Sequence, residues 1–223
     1  MPTKRREGAP SAQPAKRKKG SESEPGAHNV HFVIAHAAGH HPAGCKHTTL
    51  QIWAAALAKY GTVHDALVYP KPFNLMARLV SAHEKVISAT PCDAKVVLVG
   101  VGMGARVAVH LMSGMPGDDG KPLPEVPQTT RERVALMVAV DYPLLRVGTR
   151  EVRSAPLLSL PDGSPPLLFV HGPTDKHSDL AKLDSIRKRM KSRAEVVELQ
   201  SGSESPNEKD LSLVVDRIVN ALA

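Results

Sequence analysis

Short apolar segments alternate with amphipathic ones from Val30 onward, and this alternation restricts the possible fold more than any other feature of the sequence. Segments that are short, rich in β-branched residues and almost continuously apolar predict six strands, at 30–36, 63–69, 95–101, 133–141, 166–172 and 194–199. Strands of this kind are typical of a parallel sheet whose two faces are both covered by helices.

Helical segments lie between these strands. Helical spacing and helix boundaries predict helices at 48–60, 74–89, 105–113, 179–191 and 208–222. Strands and helices in alternation indicate an α/β protein with right-handed crossovers. We therefore predict a doubly wound, mostly parallel, six-stranded sheet with helices on both faces.

The first 28 residues differ in composition from the rest of the chain. Residues 1–26 carry seven of the 29 Lys and Arg residues and three of the 22 acidic ones, so that +4 of the net charge of +7 lies there. Because this segment has no apolar stretch, it cannot bury enough surface to offset its ordering entropy. We expect residues 1–28 to be a disordered basic tail and residues 29–223 to be the folded domain.

Two basic clusters lie in this tail, separated by ten residues: Lys4-Arg5 and Lys16-Arg17-Lys18-Lys19. The pattern resembles a bipartite nuclear localisation signal, which an import receptor binds as an extended segment. The alternatives are a non-specific phosphate-binding arm and a merely solvated tail. We expect a nuclear protein, or one shared between nucleus and cytoplasm, with an import receptor as partner.

Composition argues against several classes of protein. Three Phe, three Tyr and one Trp are too few for binding of single-stranded nucleic acid by stacking, and the folded part is nearly neutral, so we expect no direct nucleic-acid binding. The best apolar run, 96–105, ends at Arg106 and is too short to cross a bilayer, so we expect no membrane contact. Cys45 and Cys92 are expected to be reduced thiols.

Residues 114–130 interrupt the alternation with four prolines and three glycines. We predict a mobile loop here, which is either a surface insertion or a lid over a pocket.

The third predicted strand leads directly into a helix through the sequence GVGMGAR at 100–106. Small residues permit a sharp turn, and the exposed N–H groups at a helix start favour an anion. The spacing matches a nucleophile elbow, G-x-S-x-G, and through Gly100, Gly102 and Ala105 it also matches a dinucleotide fingerprint. A fingerprint belongs on the first strand–helix turn, whereas an elbow is expected on a central strand, so the position favours the elbow.

Further motifs accompany this turn: FVIAHAAG at 32–39, DYPL at 141–144, PLL at 156–158 and PLLFVHGPTD at 166–175. Together they resemble the α/β-hydrolase-fold proteins related to dienelactone hydrolase, in the group that includes testis-expressed protein 30 and subunit 3 of the NSL chromatin complex. The resemblance spans about residues 30–222. It implies a reduced α/β-hydrolase fold with the strand order 2-1-3-4-5-6.

The resemblance also implies where catalytic residues of a hydrolase would lie. The nucleophile position falls on Gly102, the triad acid on Asp175 and the base position near Glu204, in a stretch at 201–205 without His. Acyl transfer by a triad needs an attacking atom and a base, so two of its three members are missing. The pocket loop and its backbone oxyanion donors would comprise His36, Ala37, Ala38 and Met103.

Other polar residues have local interpretations beside functional ones. The histidines at 36, 40, 41 and 47 either line a vestigial pocket or are ordinary loop residues, and a metal site there is disfavoured because the segment reads as a loop. Asp175 has the alternative of capping a turn or helix, as has Asp141, and His171 is expected to hydrogen-bond locally. We predict no metal and no cofactor.

The sequence thus predicts a catalytically degenerate α/β-hydrolase-like protein that acts as a nuclear binding or scaffold subunit, with a chromatin-associated protein complex as the implied partner. The first alternative is an active esterase or acyl hydrolase with a non-standard nucleophile. The second is a dinucleotide-binding protein.

Overall fold

The structure, a computed structural model, describes residues 29–37, 43–65, 67–69, 76–118, 120–146, 148–149, 151–173, 175, 177–203 and 205–223. The predictions for the basic tail and for both of its clusters lie outside these residues.

A parallel sheet forms the centre of the molecule. Its strands are β1 (Val30–Ala37), β2 (Thr62–Val63), β3 (Leu67–Tyr69), β4 (Lys95–Val101), β5 (Val134–Val140), β6 (Leu167–His171) and β7 (Ala194–Glu198). The order is β2-β1-β4-β5-β6-β7, and β3 also pairs with β1. Since β2 and β3 are two pieces of the predicted second strand and both run parallel to β1, the predicted order of six parallel strands is confirmed.

Helices cover both faces of this sheet. Those in the described residues are α1 (Ala43–Leu57), α2 (Met76–Ala89), α3 (Met103–Ser113), α4 (Gln128–Glu132), α5 (Ala155–Leu158), α6 (Leu180–Arg187) and α7 (Glu208–Leu222). Helices α1 and α7 contribute to the hydrophobic cluster on one face, whereas α2, α3, α5 and α6 contribute to the cluster on the other. No described helix has both the length and the apolar character that a membrane span requires.

Alternate residues of β4 enter opposite halves of the core. Val96 and Leu98 belong to the cluster with α2 and α3, and Val97 and Val99 belong to the cluster with α1 and α7. All four side chains are at most 1% exposed. Burial of each contributes on the order of 2 kcal/mol, which explains why the strand is continuously apolar.

The helices differ from the sequence-based prediction mainly at their ends. Helix α3 begins at Met103 rather than at 105, and α6 ends at Arg187 rather than at 191. Helix α4 begins at Gln128, inside the segment predicted as a loop, and α5 was not predicted. Helices of four or five residues are too short to show the periodicity on which such a prediction depends.

Because every strand pairing in the sheet is parallel, the carboxyl ends of the strands meet at one edge. This carboxyl edge is where ligands bind in open α/β sheets.

Candidate functional site

The turn between β4 and α3 has the backbone of a nucleophile elbow. Gly102 lies between the strand and the helix with φ 55° and ψ −114°, and its N–H donates to the carbonyl of Val140 at 2.8 Å. A positive φ of this kind strains any residue with a side chain. A Cβ at Gly102 would nevertheless meet no atom of the described residues within 4 Å.

The two glycines that flank this position are required by packing. A Cβ at Gly104 would stand 2.1 Å from the carbonyl oxygen of Ala35, and one at Gly100 would stand 2.2 Å from the backbone nitrogen of Ala105. These close approaches hold α3 against β1 and β4. The outer glycines of the G-x-S-x-G spacing are therefore sterically necessary, whereas no contact prevents a side chain at the central position.

The turn follows β4, which lies between β1 and β5 in the sheet. It is not the first strand–helix turn, where a dinucleotide fingerprint would lie. Its position is the central one that an elbow occupies.

The predicted pocket loop begins at the same edge. His36 is half-buried near the end of β1, opposite Val101, and Ala37 is the last residue of that strand. Met103 is the first residue of α3, so its N–H is among those that have no acceptor within the helix. Ala38 lies outside the described residues.

The predicted triad acid, Asp175, lies after β6 with a side chain that is only 2% exposed. Its Oδ1 accepts a hydrogen bond from the N–H of His177 at 2.8 Å, which is the local turn interaction that the sequence also suggested. Its Oδ2 is buried, lies 3.6 Å from Nδ1 of His171, and has no hydrogen-bond partner in the part of the chain that the structure describes. Burial raises the pKa of Asp175, and the neighbouring histidines only partly oppose this. The cap of α6 is Asp179, not Asp175.

A second carboxylate, Asp141, lies beside the first. It follows β5 with φ 46°, a conformation that is uncommon outside glycine. Its Oδ1 accepts from the N–H of Gly172 at 3.2 Å, and its Oδ2 accepts from the hydroxyl of Ser203. Burial raises the pKa of Asp141, and the negative charge of Asp175 adds to the increase.

Asp141, His171 and Asp175 form one cluster, here called the acidic cluster. One possible metal-ligand atom from each side chain lies within 4.8 Å of the other two. The three residues come from the ends of neighbouring strands β5 and β6. Sequence reasoning weighed each of them separately and gave Asp141 and His171 local roles. The sequence feature that could have predicted the cluster is the position of all three residues at the ends of adjacent parallel strands.

Glu204, which the resemblance places near the base position, lies outside the described residues. The preceding residue, Ser203, is only 2% exposed, and its hydroxyl donates to Asp141. The sequence between β7 and α7, at 199–207, contains no histidine. The described part of this segment therefore supplies a hydroxyl to the acidic cluster.

A buried ion-pair network lies next to the turn and was missed from the sequence. Arg106, on the first turns of α3, has a side chain that is 2% exposed and lies 2.8 Å from Asp118. Arg153 contacts the other carboxylate oxygen of Asp118 at 2.7 Å. Burial would raise the pKa of Asp118, but the hydrogen bond and charge of Arg106, together with Arg153, hold it below its ordinary value. This network ties part of the predicted 114–130 loop to α3.

A central parallel strand that leads through a sharp positive-φ turn into a helix, with carboxylates after the following strands, defines an α/β-hydrolase fold. The family model for the alpha/beta hydrolase domain matches residues 28–212. The chain belongs to this family. No curated protein matches the sequence significantly.

Solved structures with the same fold include several esterases. Esterase 2 of Thermogutta terrifontis, phosphorylated by paraoxon, is 18% identical with a TM-score of 0.58, over 91% of this chain and 86% of that one. A truncated carbohydrate esterase from gut microbiota is 13% identical with a TM-score of 0.63, over 89% and 87%. A serine hydrolase homologue from Coxiella burnetii is 16% identical with a TM-score of 0.55, over 87% and 86%. Identities this low show the fold alone.

Proposed function

We propose that this chain is a non-hydrolysing member of its family and that its carboxyl edge binds a ligand or partner without cleaving it. The observation that carries the proposal is Gly102. The turn that would present a nucleophile keeps its strained backbone and has room for a side chain among the described residues, but it has no side chain. Acyl transfer through a covalent intermediate needs an atom that attacks, and this position provides none.

The remaining groups support binding rather than covalent chemistry. The N–H of Met103 at the start of α3 is suited to a carbonyl or anionic oxygen, as an oxyanion donor would be. Asp175 and His171 lie side by side, but the hydroxyl that such a pair would activate is missing from the turn. Backbone donors alone can retain only a small part of the catalysis of a full triad.

Ester hydrolysis through another nucleophile is the second candidate, and Ser203 is the observation that favours it. Its hydroxyl lies in the acidic cluster at the carboxyl edge, and the same fold occurs in esterases. Two features weigh against it. Ser203 is almost fully buried, and its hydroxyl donates to the carboxylate of Asp141 rather than to an imidazole that would take its proton.

The nuclear part of the proposal depends on the sequence. The two basic clusters of the tail have bipartite spacing, and the turn at 100–106 together with the motifs at 32–39, 141–144, 156–158 and 166–175 resembles a group that includes a chromatin-complex subunit. We infer that the tail binds an import receptor and that the folded domain serves as a binding subunit of a chromatin-associated assembly. Dinucleotide binding has no further support, because the turn does not follow the first strand.

Hydrolysis of short-chain aryl esters by the purified full-length protein tests the catalytic part. We expect the wild type to show no more turnover than two variants. Asp175→Asn removes the buried carboxylate, and Asp162→Asn is the control that removes an exposed one. Turnover that Asp175→Asn abolishes and Asp162→Asn preserves would establish the hydrolase instead.

The nuclear accumulation of a fluorescent fusion protein tests whether the tail acts as an import signal. A tandem fluorescent fusion, too large to enter nuclei by diffusion, should accumulate in nuclei and should lose this accumulation when the six residues of the two clusters become Ala. A matched variant with Ala at Lys188, Arg189 and Lys191 on the folded domain should behave like the wild type. Nuclear accumulation without the tail clusters would contradict the import proposal.

A further inference from the structure

The acidic cluster at the carboxyl edge has the composition of a metal site. We propose that Asp141, His171 and Asp175 bind one divalent transition-metal ion, such as Zn²⁺ or Mn²⁺. Two carboxylates and one imidazole are ligands that these ions accept, and three protein ligands leave further positions for water or for a bound molecule. The inference goes beyond the proposed function and does not depend on whether the chain hydrolyses esters.

An unpartnered oxygen points to the ligand. Oδ2 of Asp175 belongs to a side chain that is 98% buried and lies 3.6 Å from Nδ1 of His171, and among the described residues it has no hydrogen-bond partner. A buried carboxylate oxygen without a partner is costly, because it has lost its hydration without compensation. A cation held between this oxygen, Asp141 and His171 would supply the missing interaction.

Charge favours the same conclusion. The two carboxylates lie close together and are largely buried, and no Lys or Arg in the described part of the chain forms an ion pair with either of them. A divalent cation would neutralise both carboxylates, which explains how they can share one site.

The second oxygen of each carboxylate is held by the surrounding backbone. Asp141 accepts from the N–H of Gly172, and Asp175 accepts from the N–H of His177. Ser203 adds a hydroxyl to Asp141. Such outer hydrogen bonds orient metal ligands, and here they leave Oδ2 of Asp175 directed into the cluster.

The three ligand atoms would surround one ion if they moved slightly closer together. The ligand atoms lie within 4.8 Å of one another, whereas ligands around an ion at about 2.1 Å stand roughly 3 to 4 Å apart. Side-chain rotations at His171 and Asp175 would have to close this difference of roughly 1 to 2 Å. These three residues are far apart in the sequence and have separate local interpretations, so no metal was expected from the sequence.

Binding of Co²⁺ and Zn²⁺ to the chelator-treated, dialysed full-length protein tests the inference. Visible absorption reports on Co²⁺ in the site, and calorimetry gives the affinity and stoichiometry for Zn²⁺. We expect one ion per chain at the cluster. The near-isosteric variants Asp175→Asn and His171→Gln should each weaken its binding by at least tenfold, because even the loss of an outer hydrogen bond costs 10- to 100-fold.

Two controls separate this site from other sources of metal binding. The first control, Asp162→Asn, removes an exposed loop carboxylate. The second, the double substitution His40→Ala and His41→Ala, alters the histidine-rich segment. Neither control should change the Co²⁺ spectrum or the Zn²⁺ affinity of the cluster. If Asp175→Asn does not fold, as judged by circular dichroism, Ser203→Ala replaces it, with an expected loss of about tenfold. No ion bound by the wild type, or binding that only the His40 and His41 substitutions remove, would overturn the inference.

Discussion

The carbonyl oxygen of Ala35 lies 2.1 Å from the point where a Cβ on Gly104 would stand. The first turn of α3 therefore packs directly on the backbone of β1, and only glycine permits this approach. Two residues earlier, Gly102 has the opposite environment, because no atom of the described residues would contact a Cβ there and its backbone strains any other residue.

Gly104→Ala should destabilise the protein by about 3 kcal/mol or more. The added methyl group would collide with the backbone carbonyl of Ala35, which cannot move aside as the end of a flexible side chain can. In an ordinary helix the same change stabilises by up to about 1 kcal/mol, so the sign of the effect is diagnostic. Gly102→Ala should cost about 1 to 3 kcal/mol, the strain of a sparsely populated conformation with positive φ. Urea denaturation measures both free energies of unfolding.

Gly163→Ala is the matched control, since Gly163 also has a positive φ and open space around it. It should resemble Gly102→Ala in cost. A Gly104→Ala protein as stable as the Gly163→Ala protein would show that α3 does not pack on β1 in this way.

Gly102→Ser should fold and should still not hydrolyse aryl esters. The substitution restores an attacking hydroxyl, but no histidine follows β7 in the segment at 199–207, so the hydroxyl has no base in the position that the family uses. Initial rates on short-chain aryl esters, compared with those of Gly102→Ala, measure the effect. A rate in the serine variant well above that of the alanine variant would mean that another group acts as the base.

Asp118 should make stability depend on pH in the acid range. Arg106 and Arg153 hold its pKa below the ordinary value of 3.8, so its contribution is fully present above pH 3.8 and is lost as the pH falls through the lower folded pKa. Asp118→Asn should lower the free energy of unfolding by about 1 to 2 kcal/mol at pH 7. This loss is smaller than that for a fully buried ion pair because Asp118 is 37% exposed. Chemical denaturation from pH 7 to pH 2.5 should show the two proteins converging. A difference that stays constant over this range would exclude the ion pairs as its source.

His83 should weaken the fold between pH 6.5 and pH 4. It is 1% exposed on α2, and burial lowers its pKa from 6.5 to about 4. The unfolded chain thus takes up the proton first, and stability falls as the pH drops through this window, by about 3 kcal/mol in all. His83→Gln should remove this part of the pH dependence, as followed by urea unfolding at fixed pH values. Equal slopes in both proteins would show that His83 is accessible to protons in the folded state.

The sheet and the elbow could be predicted from the sequence because both have local signatures. Continuous β-branched segments such as 95–101 identify strands that are buried on both faces, and the spacing of Gly100, Gly102 and Gly104 identifies the turn. The break of the second strand was not predicted, although two polar residues, His64 and Asp65, interrupt the apolar residues between 63 and 69.

The acidic cluster and the arginine network depend on contacts between distant parts of the chain. Asp141 and Ser203 are 62 residues apart, and Arg106 and Arg153 meet only through Asp118. Each of these residues has an ordinary local interpretation, as a turn residue, a loop hydroxyl or a surface charge. Only the register of β5, β6 and β7 brings the first group together at one edge.

The central claim is that the folded domain presents no activated nucleophile, at the Gly102 turn or elsewhere, and the mass of the intact full-length protein after incubation with a fluorophosphonate probe tests it most directly. The expected result is an unchanged mass for the wild type under conditions that label a serine esterase completely. A stoichiometric mass increase, mapped by peptide analysis to Ser203 or to any other residue of the folded domain, would contradict it.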